Sequence, residues 1–263
     1  VWTMKKVIEW GKLTWPEAEK AVRQMPACIL PLGAIEAHGP HMTLDVDNGI
    51  CTEQSRRICE ETGIILLPTI PVGQVWSLYR FPGTLTLSYY TLIAVVRDML
   101  RSLYDHGFRV IFIRSHHYGN IPAIKQAVRE SYEEFMGKDV KFVILEERGA
   151  MRSVAERIRT SPCAHPVFQH ACEVETSQAL ECCPECVDME RAICDYPQFT
   201  EDFDSTPTYW DVVTDTGVMG DATAATKEKG AALIAAEVSA MVQKVNYVLG
   251  EYWRSHRSEE DKI

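Results

Sequence analysis

The sequence predicts an α/β protein in which a mostly parallel sheet is sandwiched between helices, as one domain over residues 1–263. Three observations predict it. Short runs such as Val110-Ile111-Phe112-Ile113 are apolar at every position instead of alternating, which suits strands covered on both faces. These runs alternate with helical patterns through short connections, the order of parallel α/β proteins. At 263 residues the chain is long enough for one large domain of this kind.

The elements follow in order. Thr14, with Pro16 and Glu17 behind it, starts a helix that runs to about Gln24. Cys28-Ile29-Leu30-Pro31-Leu32 is a buried strand ending at Gly33. Residues 48–62 read as a helix, and Ile64–Leu67 as a short strand closed by Pro68. Ser88 caps a helix whose Leu92, Val95, Val96, Met99 and Leu103 recur at helical spacing until Gly107. The strand at 110–113, a helix from about Pro122 to Phe135 and a strand at Val140–Leu145 continue the alternation. A helical stretch follows residues 170–177, residues 196–220 read as a long surface loop, and Ala222 to about Tyr247 forms a long C-terminal helix.

Composition removes several functions. The formal net charge of −10 supplies no basic footprint for nucleic acid. No apolar run is long enough to span a bilayer, and Val1–Lys6 carries no signal-peptide pattern. Nine cysteines, an odd count over a long chain, read as reduced thiols in a cytoplasmic protein. Cys183-Pro184-Glu185-Cys186 has a zinc-knuckle gap, but beside Cys182 and Cys194 it finds no second ligand pair at a matching distance, so these are read as free thiols.

Ligands of such sheets bind beyond the carboxyl ends of the strands, and polar clusters sit there. After the first strand comes Glu36-Ala37-His38-Gly39-Pro40-His41, then Asp45 and Asp47. After the strand at 110–113 comes Ser115-His116-His117-Tyr118-Gly119-Asn120. A third cluster, His170-Ala171-Cys172-Glu173-Val174-Glu175, precedes a helix. Glu36 and His38, two apart in an extended segment, point the same way. Mixed nitrogen and oxygen donors suit zinc, manganese or iron and disfavour calcium. Any one of these pairs arises by chance; three clusters, two of them following strands, make a metal site. His106, His165 and His256 lack such company and read as surface histidines.

The run Leu32-Gly33-Ala34-Ile35-Glu36-Ala37-His38-Gly39-Pro40-His41 closely resembles the signature of the creatininase family of amidohydrolases. The resemblance continues through Phe81–Thr84, His106–Arg109, the His117–Asn120 turn, Glu175-Thr176-Ser177, Gly220–Thr223 and Lys229-Gly230. It thus spans residues 10–245. It implies a three-layer α/β/α domain, two divalent metal ions per chain (Zn, Mn or Fe) and a homo-oligomer, often a hexamer. Glu36 and His117 are then ligands of one ion, His38 of the other, and Asp47 bridges both, with Asp45 the bystander. His170 matches the family's proton-carrying histidine.

Two departures bear on specificity. The family's namesake pattern has Tyr-Glu after the ligand histidine, the Glu being a ligand; this chain has Tyr118-Gly119. It has Trp-Asp before the proton-carrying histidine; this chain has Pro166-Val167. Creatinine is therefore not the expected substrate. Glu173 is expected to restore the missing ligand, with Glu175 placed beside it in a catalytic or alternative ligand role; Glu173 could equally cap its helix. Tyr118, His116 and Trp76 are expected to touch substrate, within a pocket shaped by residues 72–81 and 160–170. The expected activity is hydrolysis of a C–N bond in a small polar, cyclic substrate by metal-activated hydroxide. The alternatives are C–C hydrolysis of a cyclic keto-sugar or keto-inositol and a non-catalytic family member. The aromatic residues Tyr196, Phe199, Phe203, Tyr209 and Trp210, expected on the surface, favour assembly with other copies.

Overall fold

The computed structural model describes residues 6–256; of the N-terminal segment read above, residues 1–5 lie outside it. Four parallel strands form the sheet: β1 (Ala27–Leu32), β2 (Ile65–Leu66), β3 (Val110–Ser115) and β4 (Lys141–Leu145), in the spatial order β2-β1-β3-β4. β1 and β3 are central and every residue in both is buried, as the apolar runs of β1 and of Val110–Ile113 require, with Arg114 and Ser115 buried at the end of β3. Their register pairs Ala27 with Val110 and Leu32 with Ser115.

Alternate residues of these strands feed two separate cores. Ala27, Ile29, Val110 and Phe112 pack against α2 (Val46–Thr62), α6 (Glu173–Cys182) and α7 (Lys227–Ser255). Cys28, Leu30, Leu32, Ile111 and Ile113 pack against α1 (Trp15–Gln24), α3 (Tyr89–Asp105) and α4 (Ile121–Glu134). The period-two side-chain alternation of a strand thus builds three layers from the sheet.

Local signals act where the sequence places them. The Glu17 carboxylate accepts from the Thr14 N–H at 2.7 Å, and Ser88 Oγ accepts from Thr91 N–H at 3.1 Å. Two expectations shift. The C-terminal helix begins at Lys227, because Asp221 caps a 3-10 turn over Ala222–Ala224 and Thr226 then caps the helix. α5 (Arg148–Ile158), against α7, has no counterpart in the sequence reading. Gly230 lets α7 close on α6: a Cβ there would stand 1.8 Å from the Ser177 carbonyl oxygen. No helix among the described residues is long and apolar enough to cross a membrane.

The stretch 196–220 is not a free surface loop. It contributes β6 (Gly220–Asp221), antiparallel to β5 (Cys194–Asp195), and its aromatic residues turn inward. Phe203 is buried, Phe199 packs on it at 4.8 Å, and both meet His165, which stacks on Phe168. His165 is therefore part of an aromatic cluster and not an isolated surface histidine. The exposed-aromatic argument for assembly falls with this packing. His256 pairs with Asp139 at 2.9 Å. All nine cysteines are free thiols, and Cys183 is buried against the first turn of α2.

Candidate metal centre

Three segments meet past the carboxyl ends of β1 and β3. The loop after β1 carries Glu36 and His38, and the first turn of α2 adds Asp47. The turn after β3 carries His116 and His117, followed by the 3-10 turn Tyr118–Asn120. His170 and, in the first turn of α6, Glu175 close the third side. Three overlapping groups have donor atoms within 4.8 Å of one another: Glu36 with Asp47 and His117; His38 with His170 and Glu175; and Asp47 with His116 and Glu175.

The histidines are oriented alike. His38 Nδ1 is 3.1 Å from the Glu36 carbonyl oxygen, His117 Nε2 is 2.9 Å from that of Gln74, and His170 Nε2 is 2.8 Å from that of Ala37. A carbonyl only accepts, so each of these nitrogens carries the proton and donates. The opposite nitrogens face the carboxylates: His117 Nδ1 is 2.7 Å from Glu36 Oε2 and 3.3 Å from Asp47 Oδ2. His38 Nε2 is 3.9 Å from Asp47 Oδ1 and 3.7 Å from Glu175 Oε1, and His170 Nδ1 is 3.7 Å from Glu175 Oε2. Fixing the far nitrogen by a backbone carbonyl is how proteins aim an imidazole lone pair at a metal.

The buried oxygens Glu36 Oε2 and Asp47 Oδ2 have no hydrogen-bond partner in acceptable geometry. Buried acceptors left this way cost stability unless something positive meets them. The electrostatics agree. Burial opposes charge on His38, but Glu175 and Asp47 outweigh it and push the ring up to about 10. Burial likewise opposes charge on Asp47, and His38 and His117 overcome it, holding the carboxyl down to about 2. Glu175 is held well below the usual carboxylate range by His38, His116 and His170 against the cost of burial. The field that draws protons onto these rings is one that would hold cations, so the residues present fit divalent metal binding.

Glu173 is not brought to this cluster. On a helix, positions two apart face nearly opposite ways. The buried Glu173 carboxylate turns to the segment after α5, accepting from Thr160 N–H at 2.9 Å and Ser161 N–H at 2.8 Å, with Lys229 Nζ at 2.6 Å. It ties α6 to α7 and to residues 160–161, and of the two glutamates it is Glu175 that lies among the clustered donor atoms. Gly119 shows why position 119 supplies no ligand. A Cβ there would lie 2.4 Å from His117 Nε2 and 2.5 Å from the Gln74 carbonyl oxygen, the two atoms of the bond that orients His117.

Of the residues expected to touch substrate, His116 is buried with Nε2 3.6 Å from Glu175 Oε1, and Tyr118 is 60% exposed beside it. Trp76, two residues past Gln74, stacks on Tyr209 at 4.3 Å, and the neighbouring Trp210 stands edge-on to His170 at 5.5 Å. The inward-turned loop thus lines one side of the centre. Val167 is exposed.

Asn120 is the residue that sequence reasoning did not single out. Its Oδ1 accepts from Gln74 N–H at 2.8 Å, and its Nδ2 donates to the Gly33 carbonyl at 2.9 Å and to Ser115 Oγ at 3.1 Å. It joins the ends of β1 and β3, whose loops carry the clustered donors, to the peptide that orients His117. The signal was its place in the His117–Asn120 motif, but an Asn before a helix reads first as a cap.

The family described as creatinine amidohydrolase matches residues 11–245. Creatinine amidohydrolase of Pseudomonas putida is 29% identical over 238 residues, covering 86% of this chain and 92% of that protein. A mycofactocin precursor peptide peptidase of Mycobacterium tuberculosis is 28% identical over 250 residues, covering 89% and 90%. A 3-dehydro-scyllo-inosose hydrolase of Thermotoga maritima is 24% identical over 190 residues, covering 71% of this chain and 60% of that protein. Among solved structures, a Zn-Zn type mutant creatininase superposes with a TM-score of 0.81 at 28% identity, and a structure described as creatininase Mn with 0.77 at 27%, each covering 92% of this chain and 98% of the other. The match over nearly the whole length places the chain in the creatininase family of metal-dependent hydrolases.

Proposed function

We propose that Glu36, Asp47 and His117 hold one divalent ion, that His38, Asp47 and Glu175 hold a second, and that the centre hydrolyses a C–N amide bond of a small polar substrate. One observation carries this: three histidines donate one ring N–H to backbone and aim the other nitrogen at the carboxylates of buried Glu36 and Asp47 and half-buried Glu175. Such ions supply an acidified water as nucleophile and a Lewis acid for the scissile carbonyl. The protein's own groups do the rest. His170, its Nε2–H given to Ala37, has Nδ1 free beside Glu175 to take a proton and return it to the leaving nitrogen. Trp210 packs on that ring and limits its rotation. His116, against Glu175, completes the buried wall.

The absence of the Trp-Asp pair at Pro166-Val167 supports a substrate other than creatinine, since a site without those groups cannot satisfy the same ligand. The peptidase named above extends the class to acyclic amides. A second reading, C–C hydrolysis of a cyclic keto-inositol, is favoured by the inosose hydrolase relative. The chain is read as one catalytic domain working as a homo-oligomer. Support for the latter is exposed Tyr132 and Met136 near the open edge strand β4. Light scattering giving the mass of one chain, with activity retained, would remove that part.

The test is elemental analysis of protein purified without chelator, followed by a panel of zinc- or manganese-loaded enzyme against lactams, formamides, short peptides, creatinine and keto-inositols. Two ions per chain and cleavage of an amide are expected, with creatinine turned over poorly. Protein that takes up neither zinc nor manganese overturns the reading; cleavage of keto-inositols alone transfers it to the second.

A further inference from the structure

Beside the centre, on the side of Tyr118, stands a guanidinium that neither the metal ligands nor the core account for. Arg148 is the first residue of α5. Its Nη2 donates to the His116 carbonyl oxygen at 2.7 Å, and its carbon lies 5.2 Å from the centre of the Tyr118 ring. Both contacts are to the turn that carries His116 and His117, so the cation is fastened to the centre's own wall. Nε lies 4.0 Å from Glu146 Oε1, too far for a hydrogen bond, and is buried without a partner; Glu146 is paired with Lys125 at 3.1 Å. Nη1 has no partner among the described residues.

Arg114 shows what a structural arginine looks like in this protein. Its Nε, like that of Arg148, is buried without a partner, but both of its terminal nitrogens are bonded, to the Ser115 carbonyl, Gln54 and Glu237, deep between the sheet and α7. Arg148 instead keeps a terminal nitrogen open at the mouth of the site. It stays charged at any ordinary pH. Two divalent ions would over-compensate the carboxylates of Glu36, Asp47 and Glu175 by one charge, and no carboxylate offsets Arg148 at hydrogen-bond distance. With both ions bound, this side of the centre would be electropositive, since Glu146 at 4.0 Å is shared between Arg148 and Lys125, and it is bounded by the exposed face of Tyr118.

We propose that Arg148, stacked on Tyr118, binds an anionic group of the substrate, a carboxylate or a phosphate, while the scissile amide lies over the metal centre. This rests on the amide-hydrolase reading above and adds the substrate's charge to it. Arginine is suited to the task because its planar donors match both anions. The amide then sits within a side chain's reach of the anion, since the group that anchors it hangs from the residue preceding His117.

Three compounds with one ring test it: dihydrouracil, neutral; dihydroorotate, carrying a carboxylate; and dihydrouridine 5′-phosphate. Their dissociation constants would be measured by calorimetry on the zinc-loaded full chain, alongside ring opening. At least one anionic member should bind about tenfold or more tightly than dihydrouracil, the scale of a hydrogen bond to a charged group. Which one does so distinguishes the carboxylate from the phosphate. Arg148→Gln should erase that preference and leave zinc per chain unchanged, and Arg148→Lys should keep part of it. Equal or undetectable binding of all three to the wild type, or a preference that survives Arg148→Gln, overturns the proposal. Loss of zinc binding in the wild type instead sinks the hydrolase reading, so the two failures are distinct.

Discussion

Two buried charge clusters lie on either side of α6, and they are finished differently. Around Glu173 the acceptors are filled: Thr160, Ser161 and Lys229 all donate to its carboxylate. Around Glu175 the count does not close. Ring nitrogens and carboxylate oxygens face one another at 2.7–3.9 Å, and Glu36 Oε2 and Asp47 Oδ2 find no hydrogen-bond partner in acceptable geometry. Two glutamates in one helical turn thus divide between a knot that holds the fold and a cluster whose acceptors the protein's own donors leave unmet. Burial and charge are common to both. What separates them is whether the protein's own donors satisfy the acceptors.

The sharpest way to break this comparison is to exchange the fates of the two residues. Glu175→Gln should lower the ion content from two toward one and reduce kcat/KM on the order of a thousandfold or more, the loss of several kcal/mol of charge stabilisation. Glu173→Gln should keep both ions, yet lower unfolding stability by about 3 kcal/mol, because it leaves the Lys229 ammonium without its counter-charge. Elemental analysis and urea titration of both variants read the two effects. Loss of an ion from Glu173→Gln, with Glu175→Gln unaffected, would reverse the assignment.

The contrast also marks what the sequence could and could not say. β1 and β3 were legible because a short, unbroken apolar run in a chain of this composition fits a strand covered on both faces and little else. The helices at 15–24 and 89–105 carry their own caps. The three clusters were legible as clusters because strand ends project their loops to one edge. The choice between Glu173 and Glu175 was not. It depends on the rotation of α6 about its axis, which is set by Lys229 on a helix more than fifty residues away and by Gly230 letting α7 approach. α5, with only Ala155 buried, gives a weak apolar signal, and the inward turn of Phe199, Phe203 and Trp210 depends on His165 and Phe168, distant in sequence.

A smaller effect probes how the open cluster is held open. Asn120 touches none of the clustered donor atoms, but it fixes the Gln74 peptide whose carbonyl accepts the His117 N–H. Outer partners of this kind change metal affinity about 10- to 100-fold. Asn120→Ala should weaken zinc within that range in a chelator competition, with His38-side occupancy less affected. A merely structural asparagine would lower the unfolding midpoint and leave the zinc affinity of the folded protein as it was.

The finest test is the pH dependence of the closed knot. Burial opposes charge on Glu173, but Lys229, Ser161 and Thr160 overcome it and hold the carboxyl down to about 2, below its unfolded value near 4.5. A depressed carboxyl contributes stability that is full above the unfolded pKa and is lost as pH falls toward the folded one. Above about pH 6 the gap in unfolding free energy between wild type and Glu173→Gln should be flat. Between about pH 5 and 2 it should shrink as the unfolded chain, and then the folded one, takes up the proton that glutamine cannot. Glutamine removes only this carboxylate, so subtracting the two urea series cancels the titration of the remaining acids. A gap that stays constant down to pH 3 would mean that Glu173 is held by its neutral hydrogen bonds and not by its charge, and the closed cluster would then differ from the open one in shape alone.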